Sequence, residues 1–128
     1  MRFTPVEPPR EFQVGHASSV TLKDCARICL EPDEQVTFVT ESGAEYDVTR
    51  KRWGFYATPS LNGRLRQFGW QSALVKSPAG RLYVFLVEGK REEEFRQYLE
   101  SEHHTVVCWL HREEDLALLE RSLESRAR

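Results

Sequence analysis

The chain lacks any acidic residue between Val48 and Val87, although Asp and Glu account for 20 of its 128 residues. It also lacks a long apolar run. Nothing approaches the roughly 20 apolar residues that a membrane-crossing helix needs, so no membrane partner is expected. Cysteine is scarce and odd in number, three in all. That argues against a disulfide framework and suits a reducing, cytoplasmic setting. Met1–Pro5 offers neither an apolar core segment nor a small-residue cleavage pattern, so no secretory signal is expected.

Several motifs of known chemistry are missing too. The phosphate-loop patterns GxGxxG and GxxxxGK[ST] do not occur, nor do HExxH and GxSxG. The aromatic signature of an RRM is absent. Cys25 and Cys29 are four apart rather than in a CxxC. On a strand they stand about 13 Å apart, too far for a shared zinc, so His103, His104, Cys108 and His111 add no metal expectation. No cofactor and no catalytic residue are expected. His103 and His104 read as exposed turn residues before a strand, and free cysteine is commonly a small buried apolar residue.

What is present is concentrated positive charge. The acid-free window holds Arg50, Lys51, Arg52, Arg64, Arg66, Lys76 and Arg81. Residues 1–47 carry −5, residues 48–87 carry +7 and residues 88–128 carry −4, against a whole-chain charge of −2. Two readings compete. Either the basic stretch forms an electropositive face for phosphates, carboxylates or nucleic acid, or the acidic flanks fold over it and form ordinary ion pairs of about 0–1 kcal/mol each.

Size and composition set the fold expectation. A chain of this length with 40% hydrophobic residues reads as one α+β domain over residues 1–128. Pro5, Pro8 and Pro9 make residues 1–10 an extended tail or edge segment. Period-two alternation from Val20 to Leu30 predicts a strand, and β-branched Gln35–Thr40 predicts another. Gly43 closes a hairpin into a strand that starts at Glu45 and runs on to Tyr56, with a bulge at Gly54. Thr58–Gly63 is turn-rich and leads into a helical turn through Phe68. Trp70–Lys76 and Arg81–Val87 pair through the Ser77–Gly80 turn. The second of these is apolar on both faces, which predicts a central strand covered on both sides.

Lys90–Glu102 reads as a helix, with Phe95, Tyr98 and Leu99 on one face and glutamates at its positive end. Thr105–Leu110 reads as a strand and Glu113–Arg126 as a final helix. The expected architecture is a mostly antiparallel sheet of five or six strands with two C-terminal helices packed on it. A crossover through the first helix would make Arg81–Val87 and Thr105–Leu110 parallel.

The candidate site is the basic-aromatic stretch 50–66. Arg50, Arg52, Arg64 and Arg66 supply charge, because a guanidinium binds phosphate or carboxylate bidentately. Trp53 and Tyr56 supply stacking surface and Asn62 a polar contact. The competing reading makes Trp53, Phe55 and Tyr56 core residues and Asn62–Gly63 a simple turn. The functional expectation is a small non-catalytic binding or accessory module for an anionic small molecule or an acidic protein surface. A nucleic-acid binder comes second, against a sequence pI of about 6.1. A small enzyme acting on a phosphorylated metabolite comes third. The stripe Leu116, Leu119 and Leu123 could join two copies as a homodimer through the C-terminal helix, or pack on the domain's own sheet.

Overall fold

The computed structural model describes residues 1–15 and 19–127. The fold is α+β, with antiparallel pairing throughout. Its backbone divides into two compact units, Met1–Phe38 with Asp47–Thr58 and Val39–Tyr46 with Pro59–Arg128.

The first unit is built on a long two-stranded ribbon, β1 (Arg2–Val14) and β2 (Val20–Cys29). The proline-bearing N-terminus is therefore half of a ladder. Its prolines are accommodated where the register shifts between Pro5 and Arg10, so that Pro8 and Pro9 lack the ladder partners that a missing N–H would disrupt. Alternation puts Phe12 and Val14 opposite Leu22 and Val20 on one face, and all four are exposed. Among the described residues of this unit, Leu30 is the one buried apolar side chain.

A second sheet runs β3 (Gln35–Val39), β4 (Glu45–Lys51) and β5 (Gly54–Ala57). Its interior is polar: Thr37 donates to Asp47 at 2.6 Å and Thr49 to Gln35 at 2.9 Å. These bonds satisfy groups whose burial would otherwise cost free energy. The strand expected to run from Glu45 to Tyr56 is two strands. The chain reverses at Arg52-Trp53, and Lys51 pairs with Gly54, Arg50 with Phe55 and Thr49 with Tyr56. Gly54 enables the reversal at φ +149°, a value that L side chains rarely adopt.

The second unit holds the apolar core. After the helical turn α1 (Arg64–Gln67), the strands β6 (Trp70–Lys76), β7 (Leu82–Glu88) and β8 (Thr105–Trp109) form a sheet in the order β7-β6-β8. Both outer strands run antiparallel to β6, so β7 and β8 are parallel to each other with β6 between them. The helix α2 (Glu92–Ser101) makes the crossover. Its Phe95 and Leu99 pack on Ala73, Val75, Phe85, Val106 and Trp109. A second cluster joins Leu65 of α1 to Ala44 and Trp70, and the Trp70 indole N–H donates to the Glu45 carbonyl at 2.7 Å. Burying a side chain such as Leu65 or Val75 contributes about 1.5–3 kcal/mol.

The expectation of a central β7 is corrected. β6 is central, with Ser72 and Ala73 fully buried, and β7 is an edge strand. Its double apolar pattern has a different cause. Phe85 and Val87 face the α2 side, while Leu82 and Val84 remain exposed. The last helix, α3 (Glu113–Ala127), begins with Glu113, Glu114 and Asp115 and leaves Leu118, Leu119 and Leu123 exposed. Asp115 accepts the Trp109 N–H at 3.1 Å, which fixes the start of α3 to the end of β8. Among the described residues, no helix is long and apolar enough to cross a membrane.

Candidate functional site

The seven predicted site residues divide between the two units. Arg50, Arg52, Trp53 and Tyr56 belong to the first, and Asn62, Arg64 and Arg66 to the second.

In the first unit the tight β4–β5 turn decides which of the predicted residues meet. Arg50 and Phe55 are cross-strand partners, and the Arg50 guanidinium lies over the Phe55 ring, 5.7 Å from its centroid. Arg52 and Trp53 form the turn itself. Trp53 stacks on Tyr56 with ring centroids 6.1 Å apart and an interplanar angle of 27°. These rings are not core: Trp53 is 72% exposed and Tyr56 45%. Lys51 is engaged by Asp33, whose carboxylate holds the ammonium above its usual pKa.

Arg50 lines a cleft of about 720 Å³ together with Arg2, Arg27, Asp24, Ala26 and Phe55. Three arginines thus line one depression. The Asp24 carboxylate there is 3.7 Å from Arg10, and Arg2 donates weakly to the Cys29 sulfur at 3.6 Å. The Nη1 atom of Arg50 is buried and finds no hydrogen-bond partner among the described residues. A buried donor without an acceptor is costly and rare in folded proteins.

Arg2 and Arg27 were not singled out by the sequence, because they lie in its acidic first third. Antiparallel pairing sets Arg2 against Cys29 and Thr4 against Arg27, so one face of the ribbon gathers both arginines.

In the second unit Asn62 is exposed in the turn before α1. The Arg64 guanidinium lies over the Phe68 ring at 5.0 Å. Arg66 lines a separate cleft of about 460 Å³ with Glu45, Gln71, Glu88, Lys90 and His111. That cleft mixes both signs of charge, whereas the cleft at Arg50 is dominated by cations. Gln71 Oε1 is buried there without a partner among the described residues.

The three cysteines are free thiols. Burial, with a smaller effect from Asp115, pushes the Cys108 thiol up from its ordinary pKa, which disfavours the nucleophilic thiolate. Among the described residues, no group of three His, Cys, Asp or Glu side chains is placed to hold a metal ion.

The chain matches no protein-family model, no curated protein and no solved structure.

Proposed function

We propose that this protein is a small binding or accessory module that takes an anionic ligand in the arginine-lined cleft of its first unit. The ligand class is a phosphorylated metabolite, a nucleotide or a carboxylate-bearing partner surface. The observation that carries the reading is the buried, unpartnered Nη1 of Arg50 in a cleft that Arg2 and Arg27 also line. A guanidinium nitrogen shielded from water and given no acceptor favours an incoming oxyanion, which restores the lost hydrogen bond and balances the charge. The Arg50 guanidinium lies over the Phe55 ring, and its planar fork suits a bidentate oxyanion. Asn62, Arg64 and Arg66 enter the proposal as a second polar group, on the second unit.

The test is calorimetric titration with inorganic phosphate, pyrophosphate, mononucleotides and an acidic peptide. Arg50→Ala is expected to weaken the best of these by about 10- to 100-fold, the loss of a charge-assisted hydrogen bond. Arg50→Lys should recover only part, because an ammonium cannot form the fork. An Arg50→Ala protein that binds every anion as tightly as the wild type would overturn the reading.

The exposed Trp53–Tyr56 stack beside Arg52 favours a second reading, single-stranded nucleic acid, since bases stack on such rings without sequence preference. A gel shift titrated with salt separates the two, because nucleic-acid affinity must fall steeply as salt rises. Three free thiols suit a reducing compartment, which we propose is the cytoplasm.

A further inference from the structure

β7 presents a bare edge, and its outward hydrogen-bonding groups follow from the ladder. The Ser72 carbonyl of β6 accepts the Leu110 N–H at 2.8 Å, and the Ser72 N–H donates to His111, so Ser72 turns its backbone away from β7. In an antiparallel ladder the direction alternates from residue to residue. Gln71, Ala73 and Val75 therefore bond toward β7, where their partners are Val87, Phe85 and Tyr83. The N–H and C=O groups of Leu82, Val84 and Leu86 consequently point outward. No backbone partner is found for them among the described residues.

This edge carries none of the usual protections. Residues 82–87 contain no charge and no proline, and their pairing with β6 runs without a bulge. Leu82 is 58% exposed and Val84 61%. The other edge, β8, is interrupted by a register shift between Leu74 and Val75 on its partner strand, which is the kind of irregularity that twists an edge away from further pairing.

We propose that β7 pairs antiparallel with β7 of a second copy of this chain, about a two-fold axis, to form one continuous sheet. The strand is its own complement. Parallel pairing would set Arg81 beside the partner's Arg81 and Glu88 beside the partner's Glu88, whereas the antiparallel register sets each Arg81 opposite the partner's Val87 and leaves Glu88 to its own Arg91, 3.9 Å away. A two-fold axis perpendicular to the sheet keeps every side chain on its own face, so paired residues share parity. Val84 then lies opposite the partner's Val84, and Leu82 opposite the partner's Leu86. Each outward N–H meets a carbonyl, and the exposed leucine and valine meet apolar neighbours.

Sedimentation velocity and light scattering across a dilution series test this. The wild type is expected to be a dimer that dissociates on dilution. Val84→Lys sets two ammonium groups against each other at the axis and should weaken the dimer by about 100-fold or more. Val84→Pro removes an outward N–H without touching the ladder to β6, and should give a monomer with unchanged circular dichroism. Hydrogen exchange on the wild type needs no variant: the Leu82, Val84 and Leu86 amides should be protected at high concentration and exchange freely at low concentration. A monomeric wild type would overturn the proposal. So would a dimer that survives Val84→Lys, which would move the association to α3 or to the β1–β2 ribbon. Edge amides whose exchange ignores concentration would overturn it as well.

Discussion

The backbone N–H of Ser72 donates to Nδ1 of His111 across 3.2 Å, and the Ser72 carbonyl accepts the Leu110 N–H at 2.8 Å. Strand β8 ends at Trp109, so an imidazole supplies the acceptor that the next ladder residue would have given. The same Nδ1 lies 3.3 Å from the Ser72 carbonyl, so this one ring nitrogen faces both backbone polar groups of Ser72. Both residues are buried. His111→Ala therefore strands a buried N–H and should lower stability by about 1–3 kcal/mol in chemical denaturation. His111→Asn, whose side-chain oxygen falls near the Nδ1 position, should recover part of the loss. Equal stability of the alanine variant and the wild type would refute this role.

The turn that brings Arg50 and Phe55 together depends on one backbone conformation. A Cβ built on Gly54 meets nothing within 4 Å, yet its φ is +149°. Gly54→Ala should thus lower stability through backbone strain alone, by about 1–3 kcal/mol. The loss should appear in denaturation, together with weaker cross-strand nuclear Overhauser contacts between Arg50 and Phe55. The same contacts at full strength in a variant of undiminished stability would count against this.

Much of the fold was legible because local chemistry decides it. Period two from Val20 to Cys29, the Ser77–Gly80 turn and the glutamates opening α2 all act within a few residues of one another. Three features were not legible. The reversal at Arg52-Trp53 lacks the Asn-Gly or Asp-Gly pair that usually marks a two-residue hairpin loop, so its glycine read as a bulge. The edge position of β7 depends on which strands neighbour β6, a long-range fact that its own apolar pattern does not encode. Of the candidate site, Arg50 was legible from charge, while Arg2 and Arg27 join it only through the β1–β2 register.

Glu34 gives the first unit a pH response of predictable sign. Its carboxylate accepts the Glu31 N–H at 2.7 Å, and the N-terminal ammonium lies 3.0 Å away. The backbone hydrogen bond, followed by the ammonium, lowers the Glu34 pKa from its ordinary value. A carboxyl whose folded pKa is depressed contributes stability above its unfolded pKa and loses it as pH falls through the folded one. Melting temperature should therefore decline on the acid side of the ordinary glutamate range. Glu34→Gln should flatten that decline while leaving the neutral-pH fold intact. Superimposable acid limbs for the two proteins would reject the assignment.

Leu65 is the anchor of α1. A helix of four residues cannot hold itself together, since nucleation is costly and few bonds follow it. What holds this one is Leu65, 1% exposed and packed with Ala44 and Trp70. Leu65→Ala should cost about 2–5 kcal/mol, the lost transfer free energy plus the cavity left behind. Arg66, Gln67 and Phe68, which line the second unit's cleft, should be released along with it. Leu65→Met keeps the volume and should cost less than about 1.5 kcal/mol. Denaturation gives the energies, and a red shift in tryptophan emission reports solvent reaching Trp70. A small loss in Leu65→Ala with unshifted emission would mean that α1 is held by its surroundings without this side chain.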